Sequence, residues 1–394
     1  MHSRPKVAFT LTATALSAAI ALSACGGGSD GLTPAPAPAS APAPAPAPAP
    51  APPPDPLAKA PDAVRMTWFG ITNWHYQIGD LGVMLDGEVS FPGRNPDPTM
   101  VGKAYAALQK HGTVDVLLVG HVHPDHSVSM PEWGKQTGKH IYAPKPVCDA
   151  AVAYGLPTDQ CTAINGGETF QLNDFVTMRV VRWVHSVSCG VFDQGTDNAN
   201  GGGPSTYGFL FTVQTKDKSK QLTWFVHDSG AGGAELVTNR IAGGVDYGAP
   251  LSNLAKAMKD AKLDSFELWV PGPESRTVGQ ARVIVPAFSP KYFIPHHIDE
   301  RPSSTGPFNL LTGPQYLYDK ADFPKLTAFL AANNIPEFIP VGYMDAWTYD
   351  TSGVNAIDNA DTKALLGLPA SGPGPMALGP NPRVGTGTLE CTED

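Results

Sequence analysis

The sequence predicts an α/β domain in which helices cover β-sheets. Residues 114–120 form an apolar run interrupted only by Asp115, which is typical of a strand buried on both faces. Segments with strand character alternate with helical segments along the rest of the chain, as expected when helices pack against sheets. Residues 60–394 are long enough for one large domain or two small ones, and we interpret them as one.

The apolar pattern also predicts the individual elements of this domain. Three short strands joined by tight turns are expected before the apolar run, and strands and helices are mixed after it. Little regular structure is expected after residue 372, where Gly and Pro dominate. The predicted strands cover residues 66–69, 74–78, 82–86, 114–120, 175–184, 207–214, 221–227, 265–270 and 292–295, and the predicted helices cover 99–111, 147–154, 251–261 and 323–333.

The first 24 residues have the pattern of an export signal. Arg4 and Lys6 precede an apolar stretch over residues 7–22, which is followed by small residues before Cys25. A membrane-spanning helix is the alternative, but this stretch is shorter than the roughly 20 apolar residues that such a helix needs. We therefore expect residues 1–24 to be a signal peptide.

The end of this signal, Leu22-Ser23-Ala24-Cys25, resembles the lipobox of bacterial lipoproteins. The resemblance implies that Cys25 is lipidated and anchors the protein to a membrane. Gly26 follows it where an Asp would favour the inner membrane. This resemblance therefore implies an outer-membrane lipoprotein that faces the periplasm or the cell surface of a Gram-negative host.

Residues 25–59 are predicted to form a lipidated linker. Pro and Ala alternate almost strictly from residue 34 to residue 54. Such a sequence cannot bury a core and favours a semi-rigid polyproline II helix. At about 3.1 Å per residue it would span roughly 65 Å, which would hold the domain at 60–394 away from the membrane.

The charge balance argues against nucleic acid as a partner. The chain has 27 Lys and Arg against 36 Asp and Glu, a net charge of −9. Only Arg4 and Lys6 are charged before Cys25, so a chain that begins at Cys25 would have a net charge of −11. Polyanions do not favour such a surface.

Four cysteines remain if Cys25 is lipidated, and an exported protein could form two disulfides from them. We expect Cys148 to pair with Cys161 because the intervening loop is short, which leaves Cys189 for Cys391. Free buried thiols are the alternative. The spacing of these cysteines does not match a zinc or redox motif.

A cluster of metal-binding side chains follows the apolar run. Its sequence is His121-Val122-His123-Pro124-Asp125-His126. Three imidazoles and one carboxylate at the end of a rigid strand can converge on a metal ion without a costly loop closure. An isolated His is usually an ordinary hydrogen-bonded side chain, but that interpretation does not explain a cluster of this kind.

This H-x-H-x-D-H pattern resembles the metal-binding motif of the metallo-β-lactamase superfamily. Members also have a His after a later strand, an Asp at the end of another strand and a late His. His185, Asp228 and His297 occupy these places in order. The resemblance covers about residues 66–299 and implies a four-layer αββα metallo-β-lactamase sandwich.

Two later motifs also resemble those of the superfamily. Residues 224–229 resemble the aromatic-x-Gly-Asp-[Ser/Thr] motif, with His227 in place of the Gly. Residues 294–299 resemble the P-x-H-x-D ending of the branch that contains ascorbate-phosphate lactonases and N-acyl-phosphatidylethanolamine phospholipase D. Asp86-Gly87 lacks the Thr of the usual opening turn, and we expect Asp86 to support the His121 loop rather than bind metal.

The resemblance implies a site for two divalent metal ions. Zinc suits this mixture of imidazoles and carboxylates, and iron or manganese are alternatives. A metal-bound hydroxide would attack the substrate, and Asp125 would orient it or relay its proton. His296 competes with His297 as the last ligand, and the final motif favours His297. The implied ligands are His121, His123 and His185 for one metal, Asp125, His126 and His297 for the other, and Asp228 as a bridge.

The resemblance therefore implies a hydrolase that cleaves an ester, lactone, phosphodiester or amide bond in a small-molecule or lipid-like substrate. The fold alone does not choose among these bonds. An iron-dependent oxidoreductase of the sulfur dioxygenase type is one alternative, and a non-catalytic binding lipoprotein is another. A degenerate binder should have lost ligands, whereas all seven positions are retained.

Overall fold

Two β-sheets that pack face to face lie at the centre of the molecule. The computed structural model describes residues 59–90, 94–185, 205–217, 219–228, 231–272, 277–297, 323–340, 342–368 and 370. The predicted signal peptide, Cys25 and nearly all of the predicted linker lie outside these residues. Among the described residues, no helix combines the length and the hydrophobicity needed to cross a membrane.

The strands of both sheets are short. The strands are β1 (Ala63–Trp68), β2 (Trp74–Ile78), β3 (Leu81–Leu85), β4 (Val116–Leu118), β5 (His140–Ala143), β6 (Cys161–Ala163), β7 (Thr169–Gln171), β8 (Val176–Arg182), β9 (Tyr207–Gln214), β10 (Gln221–His227), β11 (Ile241–Ala242), β12 (Val245–Asp246), β13 (Leu268–Pro271), β14 (Tyr292–Phe293), β15 (Asp345–Asp350) and β16 (Gly353–Ile357). The first sheet has the order β16-β15-β1-β2-β3-β4-β5-β6, and the second has the order β14-β13-β10-β9-β8-β7. Strands β11 and β12 form a separate hairpin.

Helices connect these strands and cover the sheets. Helix α1 begins where the side chain of Asp97 accepts hydrogen bonds from the main-chain N–H groups of Thr99 and Met100, which caps the helix. The helices are α1 (Pro98–Leu108), α2 (Pro124–Ser127), α3 (Met130–Thr137), α4 (Lys145–Ala153), α5 (Gly233–Val237), α6 (Pro250–Asp260), α7 (Thr277–Phe288), α8 (Phe323–Ala332) and α9 (Ala360–Leu365), with one 3-10 turn at Thr158–Gln160.

Strand β4 shows how the layers are arranged. Val116 and Leu118 point into the core between the two sheets, whereas Leu117 and Val119 point into a second core beneath α1, α3 and α4. Successive side chains of a strand point to opposite faces, so an apolar run of this kind buries both faces. The prediction of a doubly buried strand in residues 114–120 is therefore confirmed.

Helices α6 and α7 cover the outer face of the second sheet. Leu254 of α6 and Ile284 of α7 belong to the same core cluster as Phe225 of β10. The order of layers is thus helices, first sheet, second sheet and helices. This arrangement confirms the predicted α/β class and the predicted four-layer αββα order.

The predicted disulfide between Cys148 and Cys161 is present and joins α4 to β6. Its Cα atoms lie 5.4 Å apart. Cys189 and Cys391 lie outside the described residues, so their pairing stays a prediction.

Candidate metal centre

The predicted ligands meet at one end of the two sheets. His121 follows β4, His185 follows β8, Asp228 directly follows β10 and His297 follows β14. Strands β10, β13 and β14 are parallel, and β8 and β10 are both antiparallel to β9, so these chain segments leave the second sheet at the same end. The N–H of Tyr207 donates to the carbonyl of Gly120 over 2.9 Å, which joins the second sheet to the start of the motif.

His121, His123 and His185 form the first group of potential ligands. One ligand atom from each lies within 4.8 Å of the others. The ring of His185 lies 4.3 Å from the ring of His123 and 4.9 Å from that of His121, measured between centroids. The structure therefore brings together the three residues that were expected to hold one metal.

Asp125, His126 and His297 form the second group. Pro124 starts the single turn of α2, which places Asp125 and His126 side by side. Asp125 Oδ2 lies 3.2 Å from His297 Nε2 and 3.6 Å from His126 Nε2. These are the three residues expected at the second metal.

Asp228 lies between the two groups. Its Oδ2 is 3.9 Å from His121 Nε2 and 3.6 Å from His126 Nε2, and its Oδ1 is 3.2 Å from His297 Nδ1. His121, His126 and Asp228 also form a potential ligand group of their own. This position agrees with the bridging role expected for Asp228.

The donor atoms of this cluster fit metal ions. Among the described residues, several of them are buried and have no hydrogen-bond partner, although a buried polar group without a partner costs about 1–3 kcal/mol. A coordinated cation would satisfy them. These atoms are Nδ1 and Nε2 of His121, Nε2 of His123, Nε2 of His126 and Oδ2 of Asp228.

In the metal-free site the imidazoles differ in the direction in which their pKa is shifted. Burial, together with His126 and His185, holds the pKa of His121 well below its usual value, and burial lowers the pKa of His123 to about 4. Both rings are therefore neutral near pH 7 and available as ligands. Burial also opposes a charge on His126, but Asp125 and Asp86 raise the pKa of His126 to about 9.

The carboxylates of the site are ionised. Burial alone would raise the pKa of Asp125, but His126, His297 and His123 lower it below its usual value. The pKa of Asp228 is also lowered, since His297, His126 and His121 outweigh the effect of its burial. Both carboxylates are therefore charged and available to bind cations at neutral pH.

Asp86 has the supporting role that the sequence predicts. Its Oδ2 accepts from His126 Nδ1 over 2.7 Å, and its Oδ1 accepts from the N–H of Gly120 over 2.9 Å. The Thr72 hydroxyl donates to the same carboxylate and lies 2.7 Å from His126 Nδ1. This contact fixes the proton of His126 on Nδ1 and leaves Nε2 facing the cluster. The sequence alone does not indicate this role of Thr72.

The structure brings His297, and not its neighbour His296, into the cluster. Trp74 Nε1 donates to His296 Nδ1 over 3.1 Å, and His296 Nε2 donates to the carbonyl of His227 over 2.7 Å. Both ring nitrogens of His296 are therefore used within the protein. His75 is also outside the cluster, because its Nε2 donates to the carbonyl of Thr113 over 2.6 Å.

His227, which replaces the usual Gly of its motif, is a packed side chain. It accepts a hydrogen bond from Trp269 Nε1 over 3.0 Å, and its ring lies 4.6 Å from that of Trp183, measured between centroids. It lies on the opposite side of β10 from Trp224, which packs between the two sheets. His227 is therefore part of the aromatic packing on this side of β10.

Comparisons with known proteins find curated metal-dependent hydrolases that are similar to part of this chain. No protein-family model matches the chain. A UPF0173 metal-dependent hydrolase of Thermodesulfovibrio yellowstonii is 29% identical over 161 residues, which are 39% of this chain and 56% of the relative. A second UPF0173 metal-dependent hydrolase, from Anaeromyxobacter dehalogenans, is 32% identical over 171 residues, which are 40% of this chain and 58% of the relative. The chain therefore spans a little over half of the length of these curated relatives.

Solved structures with a similar fold include Igni18, a metallo hydrolase of Ignicoccus hospitalis. It is 15% identical, has a TM-score of 0.45, and covers 73% of this chain and 99% of its own. YhfI of Bacillus subtilis, a metallo-β-lactamase fold protein, is 12% identical with a TM-score of 0.43 and the same two coverages. The chain is thus similar in sequence to curated metal-dependent hydrolases, and its observed sandwich and the order of its ligand motifs resemble those of the metallo-β-lactamase superfamily.

Proposed function

We propose that this protein is an exported, lipid-anchored hydrolase that depends on two metal ions. The main observation in support is the convergence of seven His and Asp side chains from four separate chain segments. Several of their potential metal-ligand atoms are buried and have no hydrogen-bond partner among the described residues. The names of the two curated relatives also support metal-dependent hydrolysis.

The two groups described above would each hold one ion, with Asp228 between them. Zinc fits these ligands best, and iron or manganese would fit the second group. When bound, a pair of ions would acidify a water molecule and polarise the carbonyl or phosphoryl oxygen of the substrate.

The residues around the site would then handle protons and orientation. Asp125 is ionised, and its Oδ2 lies 3.2 Å from His297 Nε2, so it can accept a proton from the attacking water or hold that water in line. Asp86 keeps the proton of His126 on Nδ1. His121 and His123 are neutral and keep their lone pairs for coordination.

The bond that is cleaved is proposed from the final motif. Residues 294–299 resemble the lactonase and phospholipase D branch, which favours a lactone or a phosphodiester over a β-lactam. An ester or an amide remains within the same chemistry, because one fold supports all of these reactions. The substrate would be a small or lipid-like molecule.

The location of the protein is proposed from its N-terminus. Leu22-Ser23-Ala24-Cys25 supports lipidation at Cys25, and Gly26 supports the outer membrane, with the domain facing the periplasm or the cell surface. The Pro-Ala linker would separate the domain from the lipid surface.

Elemental mass spectrometry on the purified full-length protein, followed by assays with lactones, phosphodiesters and β-lactams, tests the proposal. We expect about two zinc ions per chain. A chain with iron alone would instead support an oxidoreductase, and a chain that binds no metal after reconstitution would support a binding protein.

A double variant with His121→Ala and His123→Ala tests the link between metal and activity. It should bind less metal and lose more activity than the ~10–100-fold typical of changes behind the ligands. His140→Gln is a suitable control, because His140 lies half-buried on β5 and its Nε2 contacts the Thr162 hydroxyl, away from the cluster. Full activity in the double variant would contradict the proposal.

A further inference from the structure

The turn between β1 and β2, which comprises residues 70–73, is packed beneath the second ligand group. The N–H of Asn73 donates to the carbonyl of Gly70 over 2.8 Å, and Ile71, Thr72 and Asn73 are fully buried. Ile71 has a φ of 46°, which a β-branched residue rarely adopts. Such backbone strain persists only where the surrounding contacts fix it, and it is frequent at functional sites.

The carbonyl of Ile71 holds the backbone of His297. It accepts from the N–H of His297 over 2.7 Å and from Trp68 Nε1 over 2.9 Å. His297 itself has a φ of 52°, so its main chain is also held in an unfavourable conformation. The turn thus fixes the point from which the His297 side chain enters the cluster.

The side chain of Thr72 acts on the other histidine of this group. Its hydroxyl contacts both Asp86 Oδ2 and His126 Nδ1, and His126 Nδ1 donates to the same carboxylate oxygen. All three side chains are buried. The orientation of the His126 ring, and the position of its proton, therefore depend on the Thr72 hydroxyl as well as on Asp86.

Trp74, which begins β2 directly after the turn, fixes the neighbour of His297. Its indole donates to His296 Nδ1, so the proton of His296 is on Nε2, where it bonds to the carbonyl of His227. This anchors the segment that leads into His297. The same hairpin thus contacts two parts of the chain that are 171 positions apart, at His126 and at His297.

The hydrogen bonds of Ile71, Thr72 and Trp74 described above lead to the second ligand group. Among the described residues, neither His121 nor His123 makes a hydrogen bond or a ring contact with residues 70–74. By contrast, His126 and His297, from the second group, are both contacted. Asp125, the third member of this group, lies beside both of them.

We propose that the β1–β2 turn is the positioning element of the second metal site, with Thr72 as its positioning residue. This inference rests on the proposed function, because it requires that Asp125, His126 and His297 hold a metal ion. The turn is thus expected to affect the affinity for the second metal and not the affinity for the first. Thr72 does not touch the metal or the substrate in this role.

Thr72→Val tests the proposal, because it keeps the shape of the side chain and removes the hydroxyl. Zinc titration of the full-length metal-free protein against a chromophoric chelator should show a ~10–100-fold weaker affinity for the second metal and an unchanged affinity for the first. Cobalt titration, followed by visible absorption, should show loss of the second set of bands only. Thr72→Ser, which keeps the hydroxyl, should bind the second metal with near-wild-type affinity.

Thr67→Val is the matched control, since Thr67 is buried in β1 of the same hairpin, outside the cluster. Its two affinities should equal those of the wild type. Two unchanged affinities in Thr72→Val, or an equal loss at both metals, would overturn the proposal. Absence of metal from the wild-type protein would instead overturn the proposed function.

Trp74→Phe provides a second test if Thr72→Val fails to fold. It keeps a smaller aromatic ring in the core and removes the N–H that holds His296. Here too we expect weaker binding of the second metal alone. Wild-type affinity at the second metal in this variant would refute the role of the hairpin.

Discussion

Replacement of Asp86 by Asn should weaken both the fold and the second metal site. Asp86 is 2% exposed and accepts hydrogen bonds from Gly120 N–H, His126 Nδ1 and the Thr72 hydroxyl. An Asn side chain has only one oxygen, so in either orientation its NH₂ group faces a former donor. For the neutral His126 that binds metal, the least costly arrangement places its proton on Nε2 instead of Nδ1, where it blocks coordination.

The size of the effect follows from the lost contacts. Removal of one partner from a buried charged pair costs about 3–5 kcal/mol, so we expect a loss of that order in the free energy of unfolding of the metal-free protein. A ~10–100-fold loss of metal affinity corresponds to about 1.4–2.8 kcal/mol. Denaturant unfolding after chelation measures the first quantity, and zinc titration measures the second.

The pH dependence of this loss has a definite sign. The pKa of His126 is raised to about 9, against about 6.5 in an unfolded chain. The stability that Asp125, Asp86 and Asp228 give to the charged His126 is therefore fully present below about pH 6.5 and is lost as the pH rises through about 9. The difference in stability between the wild type and Asp86→Asn should be larger at pH 6 than at pH 10.

Asp115→Asn is the matched control for this experiment. Asp115 also accepts from one main-chain N–H, that of Gly82, and from one Thr hydroxyl, that of Thr113. It lies beside β4 but away from the metal-binding cluster, and its side chain is 26% exposed. Equal zinc affinity in Asp86→Asn and Asp115→Asn, with similar stabilities, would refute the reasoning.

Three further predictions concern other parts of the chain. Replacement of Cys148 and Cys161 by Ser should lower the free energy of unfolding by about 3 kcal/mol, because the disulfide closes a loop with a sequence separation of 13; equal denaturation midpoints would contradict this. Burial lowers the pKa of His75 to about 4, so the free energy of unfolding should fall as the pH drops from about 6.5 to 4. In His75→Gln this fall should be smaller by up to about 1.4 kcal/mol per pH unit, and parallel profiles of the two proteins would exclude this role. Cys25→Ser should release the protein from membranes, and retention after a high-salt wash would argue against lipidation.

The first part of the metal site could be predicted from local sequence. Residues 116–119 are apolar throughout, which identifies a strand, and the ligands His121, His123, Asp125 and His126 follow within eight residues of it. Ligands that share one short loop converge wherever that loop lies. His185 and Asp228 required the family resemblance, because only the fold brings the ends of β8 and β10 to this loop.

Helix α7 shows why some elements could not be predicted. It contains Gly279 and Pro286, both of which disfavour a helix in isolation, and the sequence predicts no element there. In the structure, Val278, Ala281 and Ile284 are buried in the core that covers the second sheet. Burial of these side chains stabilises the helix by more than its unfavourable local propensity destabilises it, since most helical stability in proteins comes from tertiary packing.

The choice between His296 and His297 could not be made from sequence in physical terms, because adjacent residues differ only in the direction of their side chains. That direction is set by groups far away in the chain. Trp74, 222 positions before His296, occupies one of its ring nitrogens, and the carbonyl of Ile71 fixes the N–H of His297 at a positive φ. A change that frees either contact should therefore alter which histidine faces the cluster, even though the metal-binding motif itself is intact.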